Sequence, residues 1–131
     1  MLQKTFYKVQ TIQQKTDDTE TIRKFSARVE INPSHPIFDG HFPGNPVVPG
    51  VCQIEIIREI AMEILKKPVL LCKSDNIKFL SMINPLTHPL LDIDLDMKFR
   101  TADATDITAV IRWEMDLFMK FKGMVVTELN G

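Results

Sequence analysis

The sequence predicts an α+β domain in which an antiparallel sheet wraps one long central helix. Three observations carry that prediction. Only VCQIEIIREIAMEILKK (51–67) has the length and apolar content of a buried helix without an internal Pro or Gly. Six other runs are rich in β-branched and aromatic residues, several with near-strict alternation. Their order around the helix is β-β-α-β-β-β-β, which suits a sheet folded over one helix better than alternating βαβ units.

In chain order, residues 5–14 alternate loosely and read as a strand, and the polar KTDDTE that follows reads as a turn. Residues 21–31 place Ile22, Phe25, Ala27, Val29 and Ile31 among charges, so this is a half-buried strand closing a hairpin. A loop from 32 to 49 comes next. Within residues 35–55, HPIFDGHFPGNPVVPGVCQIE, stand four of the eight prolines and three of the five glycines, which specifies a backbone path tightly. Pro49 suits the first helical position or the residue before it, Lys66 and Lys67 suit the negative helix end, and Pro68 closes the segment.

The apolar side chains cover most of that helix, so it is expected to be buried by a sheet or a partner subunit. Its polar exceptions, Glu55, Glu59 and Glu63, form one stripe at i, i+4 and i+8, and such a stripe ordinarily faces solvent. Residues 69–80, 90–99, 106–117 and 118–127 read as the remaining strands, with turns at 81–89 and 101–106. In LDIDLDMKF (91–99) the aspartates fall on one face and the apolar residues on the other.

A length of 131 residues fits a single domain, 1–131, with a real core. A net charge of −1 gives no global reason to expect nucleic acid or an anionic membrane as partner. MLQKTFYKVQ lacks the apolar core of a secretory signal, and no stretch approaches the ~18 apolar residues of a membrane span. The expected compartment is the cytoplasm, where Cys52 and Cys72, both in apolar segments, are expected as buried thiols and not as a disulfide.

The chemistry concentrates at the loop and helix start. His41, in a constrained loop, has the side chain best suited to proton transfer near neutral pH. The Gly50 and Val51 amides would be unpaired donors at a positive helix end, suited to a developing oxyanion. Glu55, among Val51, Ile54 and Ile56, would have a raised pKa if buried. Base, oxyanion donors and acid together suit an α,β-elimination of water. Plainer readings stand beside this one. A loop histidine is commonly a hydrogen-bonding residue, the amides can be capped by water, and His35 and His88, each before a proline, fit turns. No pair among His35, His41, Cys52 and Cys72 has a zinc-ligand spacing, so no metal is expected.

GHFPGNPVVPGV at 40–51, followed by Glu55, resembles the signature of the FabZ/FabA-type 3-hydroxyacyl-[acyl-carrier-protein] dehydratases, which are hot-dog folds. The match is specific over about residues 38–55, with a weaker echo at IKFLSMINP (77–85). The resemblance implies His41 as the base at the α-carbon and Glu55 as the acid at the 3-hydroxyl. It implies Gly50 and Val51 at the thioester carbonyl, with Phe42 and Pro49 against the substrate. It also implies a homodimer or trimer of dimers, with each site pairing His41 of one subunit and Glu55 of the other. No cofactor is implied; the acyl group would ride on the phosphopantetheine of an acyl carrier protein, an acidic partner. Arg23, Lys24, Lys78, Arg100, Lys120 and Lys122 are the candidate docking cations.

The wording PGVCQIE is similar to divergent hot-dog dehydratases of polyene-pigment or specialised-lipid clusters. Where the family usually reads E-A-M-A-Q this chain has Glu55-Ile-Ile-Arg-Glu59, and Asn84-Pro85-Leu86-Thr87 replaces a P-G-D turn. Arg58 and Glu59 could therefore alter or block an acyl tunnel lined by some of Ile56, Ile57, Phe79, Leu80 and Met82. The expected function is dehydration of a carrier-linked 3-hydroxyacyl thioester to the trans-2-enoyl thioester, in fatty-acid or related lipid or polyene biosynthesis. The alternatives are a hot-dog acyl-thioesterase and a non-catalytic acyl-binding subunit.

Overall fold

The computed structural model describes residues 2–15, 21–39 and 44–127. His41 and Phe42 lie outside the described residues. Strands β1 (Tyr7–Gln14) and β2 (Ile22–Ile31) precede the helix α1 (Gly50–Leu65), and β3 (Val69–Phe79), β4 (Leu90–Phe99), β5 (Ala104–Trp113) and β6 (Asp116–Thr127) follow it. All strands join one antiparallel sheet in the order β1-β2-β4-β5-β6-β3. The expected α+β architecture, with one helix against a single sheet, is the observed one.

Alternation explains why the sheet has a dry and a wet face. On β4, Leu91, Ile93, Leu95 and Met97 are buried, and their neighbours on β2 and β5 (Phe25, Ala27, Val29, Ile107, Ala109 and Ile111) share that face. Into it α1 presses Ile56, Ile57, Ile60 and Ala61. Each large aliphatic side chain so buried contributes about 1.5–3 kcal/mol relative to exposure. The opposite face is polar and internally paired. Arg28 donates to Asp92 at 2.8 and 3.1 Å, Arg112 donates to Asp94 at 2.8 Å, and Arg28 lies 4.8 Å over the Trp113 ring.

Several boundaries differ from expectation. The break expected between 117 and 118 falls at Glu114 and Met115, a two-residue turn closed by the Trp113–Asp116 pair, with Glu114 at φ 52. No Gly, Pro or Asn marks that turn, and Met115, 94% exposed, extends the apolar run across it. The strand expected from 106 starts earlier, at Ala104, because Thr101 Oγ1 accepts from the Asp103 and Ala104 amides at 3.2 and 3.1 Å and tightens the turn. The helix ends at Leu65, with Lys66 in the left-handed region at φ 58, so Lys66 and Lys67 cap it from outside. Both cysteines are free, but only Cys52 is buried. Cys72 sits at the register shift between Leu71 and Lys73, an edge-strand irregularity that turns it to solvent.

The acidic stripe on α1 is a solvated face only in part: Glu63 is exposed, but Glu59 is covered. Glu59 is 1% exposed and accepts from the Leu2 amide (2.8 Å), the Gln3 amide (2.9 Å) and the Tyr7 hydroxyl (3.1 Å). Burial and the adjacent carboxylate push the Tyr7 phenol well above its usual value, so it remains a donor. The N-terminal segment thus lies along the stripe and reaches Glu63 through Gln3 at 3.4 Å. Beyond it, Phe6 stacks on Phe38 at 5.5 Å.

Candidate active site

The helix start is held by Pro49, whose extended φ of −60° and ψ of 147° turn the chain into α1 without a side-chain cap. The Pro49 carbonyl takes the Cys52 and Gln53 amides at 3.0 and 3.1 Å. Among the described residues the Gly50 and Val51 amides have no acceptor. They are the orphan donors of the first turn, at the positive end of the helix dipole.

Gly50 opens onto a cavity of about 420 Å³ whose walls include Val48, Gln53, Phe79, Leu80 and Met82. A Cβ on Gly50 would stand 2.7 Å from the tip of the Phe79 ring, so only glycine allows the ring to lie over the helix start. Phe79, Leu80 and Met82, expected as tunnel candidates, line this cavity and are 53%, 50% and 75% exposed. Ile56 and Ile57, expected beside them, belong to the sheet-facing core instead, because the 100° helical step points them inward.

Glu55 faces elsewhere. It lines a shallower cleft of about 290 Å³ with Leu2, Val51 and Cys52. Gly50 and Glu55 of one chain therefore open to different sides of the helix start, while Val51, 75% exposed, stands on the Glu55 side.

The expectation of a raised Glu55 pKa is corrected. Arg58, three residues on, donates to both carboxylate oxygens at 2.7 and 2.6 Å. That guanidinium holds the Glu55 carboxyl below its ordinary range and outweighs the opposing effect of partial burial. Arg58 is itself anchored, donating to the Val69 carbonyl at 2.9 Å. Neither Arg58 nor Glu59 lines the Gly50 cavity, so neither fills it.

His35 accepts the Ile37 amide at 3.1 Å through Nδ1 and caps the turn Pro36–Phe38; His88 packs edge-on against Phe118 at 5.1 Å. Both are turn residues, as their prolines suggest. Among the described residues, no three of His, Cys, Asp and Glu converge as metal ligands, and no helix is long and apolar enough to cross a membrane.

The candidate docking cations separate. Arg100 pairs with Asp106, and Arg23 lies 5.7 Å over the Phe99 ring. Lys78 stands directly across from Lys120, with Lys122 two residues along β6, and the three lysines line one shallow depression on the outer sheet face. None of the three has an acidic partner among the described residues.

One further candidate residue was not singled out from the sequence. Gln53 is 4% exposed; its Nε2 donates to the Val48 carbonyl at 3.2 Å, and among the described residues its Oε1 has no partner. The signal was present in the spacing, since residue 53 shares the helix face of Ile56, Ile57 and Ile60, where a lone amide is anomalous.

Comparison with known proteins bears on this geometry. The ApeI-like family model, described as ApeI dehydratase, matches residues 13–112. The chain is 27% identical over 100 residues to the 3-hydroxyacyl-[acyl-carrier-protein] dehydratase FabZ of Rickettsia felis, covering 70% of this chain and 69% of that protein. It is 35% identical over 69 residues to FabZ of Caldicellulosiruptor saccharolyticus, covering 47% of this chain and about half (49%) of that one. Among solved structures, an uncharacterized protein from Erwinia carotovora subsp. atroseptica superposes with a TM-score of 0.66 at 20% identity, over 93% of this chain and 95% of that one. The dehydratase heterocomplex ApeI:P from Xenorhabdus doucetiae superposes with 0.61 at 16% identity, over 90% and 96%. An acyl-CoA hydrolase from Staphylococcus aureus superposes with 0.54 at 18% identity, over 82% and 64%. At these identities the structural likenesses establish the hot-dog fold.

Proposed function

The chain belongs to the ApeI-like dehydratase family, and we propose that it removes water from a carrier-linked 3-hydroxyacyl thioester to give the trans-2-enoyl thioester. The observation that supports this most directly is the uncapped Gly50 amide at the helix start, beside a mostly apolar cavity, with the Val51 amide and the Glu55 carboxylate on the other side of the same helix end. In this reading the Gly50 amide holds the thioester carbonyl and stabilises the enolate as charge develops. His41 takes the α-proton, and Glu55 gives a proton to the 3-hydroxyl, which leaves as water. The double bond then forms between the α- and β-carbons. The step needs no redox change and no metal.

The opposed outlooks of Gly50 and Glu55 suit a site shared by two subunits, where one protomer's Glu55 meets another's His41. Burial by a second copy would also cover Val51, Phe79, Leu80 and Met82, which are exposed together around the helix start. The acyl carrier protein would dock on Lys78, Lys120 and Lys122. Like charges placed opposite each other across strands are unfavourable in isolation and suit an acidic partner. Lys78 directly precedes Phe79 at the cavity wall, so a partner seated there stands near its mouth.

An acyl-thioesterase is the second reading, favoured by the fold shared with the acyl-CoA hydrolase. The deciding experiment follows a short-to-medium 3-hydroxyacyl thioester with purified wild-type protein, reading enoyl absorbance and free thiol together. Enoyl product without thiol release is expected. Thiol release without enoyl product would replace the dehydratase reading with hydrolysis, and tight binding with neither product would leave an acyl-binding subunit.

Arg58 gives this reading a pH signature. Arg58→Met removes both hydrogen bonds that favour the charged carboxylate, so the Glu55 pKa rises. If Glu55 acts as the proton donor, its active form is the protonated one. The high-pH limb of kcat/KM that belongs to Glu55 should then move to higher pH in Arg58→Met and vanish in Glu55→Gln. A limb that stays in place in Arg58→Met would assign the proton to another group.

A further inference from the structure

Gln53 Oε1 is, among the described residues, the buried side-chain polar atom left without a partner, and its residue lines the Gly50 cavity. Leaving a buried acceptor unpaired is unfavourable, a penalty that a donor on a ligand would remove. The Nε2 bond to the Val48 carbonyl fixes which end of the amide points away from the loop. The remaining walls are the apolar Val47, Val48, Phe79, Leu80 and Met82 together with Ser81, whose hydroxyl donates to the Met82 carbonyl at 3.5 Å. The cavity thus offers a hydrocarbon chain a mostly apolar surface with the Gln53 oxygen as its unpaired buried acceptor.

That place is set by the helix. Gly50 and Gln53 are separated by three residues, share a face and stand about 4.5 Å apart along the axis. The cavity thus presents an N–H donor and, one turn on, an oxygen acceptor. A 3-hydroxyacyl thioester is the complement, because its carbonyl oxygen accepts and its hydroxyl, four bonds away, donates. We propose that Gln53 recognises the 3-hydroxyl of the substrate, accepting a hydrogen bond from its O–H while Gly50 holds the carbonyl. This rests on the dehydratase reading and adds the residue that selects hydroxylated over saturated acyl groups. Gln53 and Glu55, two residues apart, face different sides of one helix. Glu55 therefore reaches that hydroxyl from the second protomer, donating a proton to its oxygen while Gln53 accepts a hydrogen bond from its O–H, which stays on the departing water.

The test compares binding of 3-hydroxyhexanoyl-pantetheine and hexanoyl-pantetheine by calorimetry. A His41→Ala background is used so that neither ligand turns over. The hydroxylated ligand should bind about tenfold tighter, since a site built to pair a hydroxyl rejects the analogue lacking it. Adding Gln53→Met should bring the ratio near one with hexanoyl affinity unchanged. Adding Gln53→Glu instead, which keeps an acceptor oxygen there, should retain the preference. A preference that survives Gln53→Met overturns the inference, as does the absence of any preference at the outset. Equal loss of both ligands in both variants means the amide only holds the Val48 loop, and also overturns it. Enoyl formation by the wild type is read separately. Turnover without a Gln53-dependent ratio removes this inference alone, whereas a Gln53-dependent ratio without turnover removes the dehydratase reading and leaves a 3-hydroxyacyl binding site.

Discussion

Dehydration should fall at least about 10²-fold in His41→Ala and in Glu55→Gln, and part of it should return when the two inactive proteins are unfolded and refolded together. The loss follows from removing either the base or the acid of a proton-transfer pair. The return follows from the geometry of the helix start. Gly50 and Glu55 of one chain open into different hollows, so on the proposed reading a complete site is one assembled between two chains. In a two-fold dimer of one His41→Ala chain and one Glu55→Gln chain, one shared site carries both lesions and the other carries none. Equal mixing gives half mixed dimers, so about a quarter of wild-type activity should reappear. If each site lies within one chain, every site in every dimer keeps one lesion and nothing returns. Glu55→Gln should leave the fold intact, because Arg58 keeps an acceptor on that side chain and its separate bond to the Val69 carbonyl. Matched thermal unfolding checks this before the activity is compared.

What the sequence disclosed depended on whether the relevant property was periodic or geometric. The alternation of β4 and the apolar periodicity of α1 were legible, the strand to its ends and the helix to within two residues of its own. The helix start was legible because Pro49 suits the residue just before the first helical turn. The hairpin at Glu114 and Met115 was hidden because its turn uses none of the usual turn residues. Three side chains were misread for a different reason: their roles are set by what crosses over them. Glu59 resembles solvated helix surface until residues 2 and 3 are placed on it. Arg58 resembles added bulk near a pocket until its fork closes on Glu55. Gln53 passes as an ordinary helix residue until the cavity beside it is known. Charge state and partner choice at such positions come from tertiary contacts that no spacing rule contains.

Removing the Glu59 carboxylate should destabilise the protein by about 3–5 kcal/mol, a large share of the ~5–15 kcal/mol available to a domain. The side chain is 1% exposed and takes three donors, so Glu59→Ala strands the Leu2 and Gln3 amides and the Tyr7 hydroxyl at once. Each orphaned group costs about 1–3 kcal/mol where water cannot replace the lost acceptor. The loss also frees the segment that carries Phe6, fully buried and stacked on Phe38, from the helix. Tyr7→Phe removes only one of the three bonds and should cost about 1 kcal/mol. Glu59→Gln, which keeps one acceptor oxygen, should fall between the two. Urea midpoints measured at one protein concentration give the ranking. If Glu59→Ala leaves the midpoint unchanged and only loosens amide exchange at residues 2–6, the segment is a peripheral strap and not part of the cooperative core. Dehydration by still-folded Glu59→Ala should persist with its pH dependence shifted, since Glu59 lines neither hollow but helps to hold the Glu55 carboxyl charged and keeps Leu2 at the Glu55 cleft. That separates it from Glu55 on the same stripe: two carboxylates one turn apart, one holding Leu2 and Gln3 in place and the other paired with Arg58 and proposed as the proton donor.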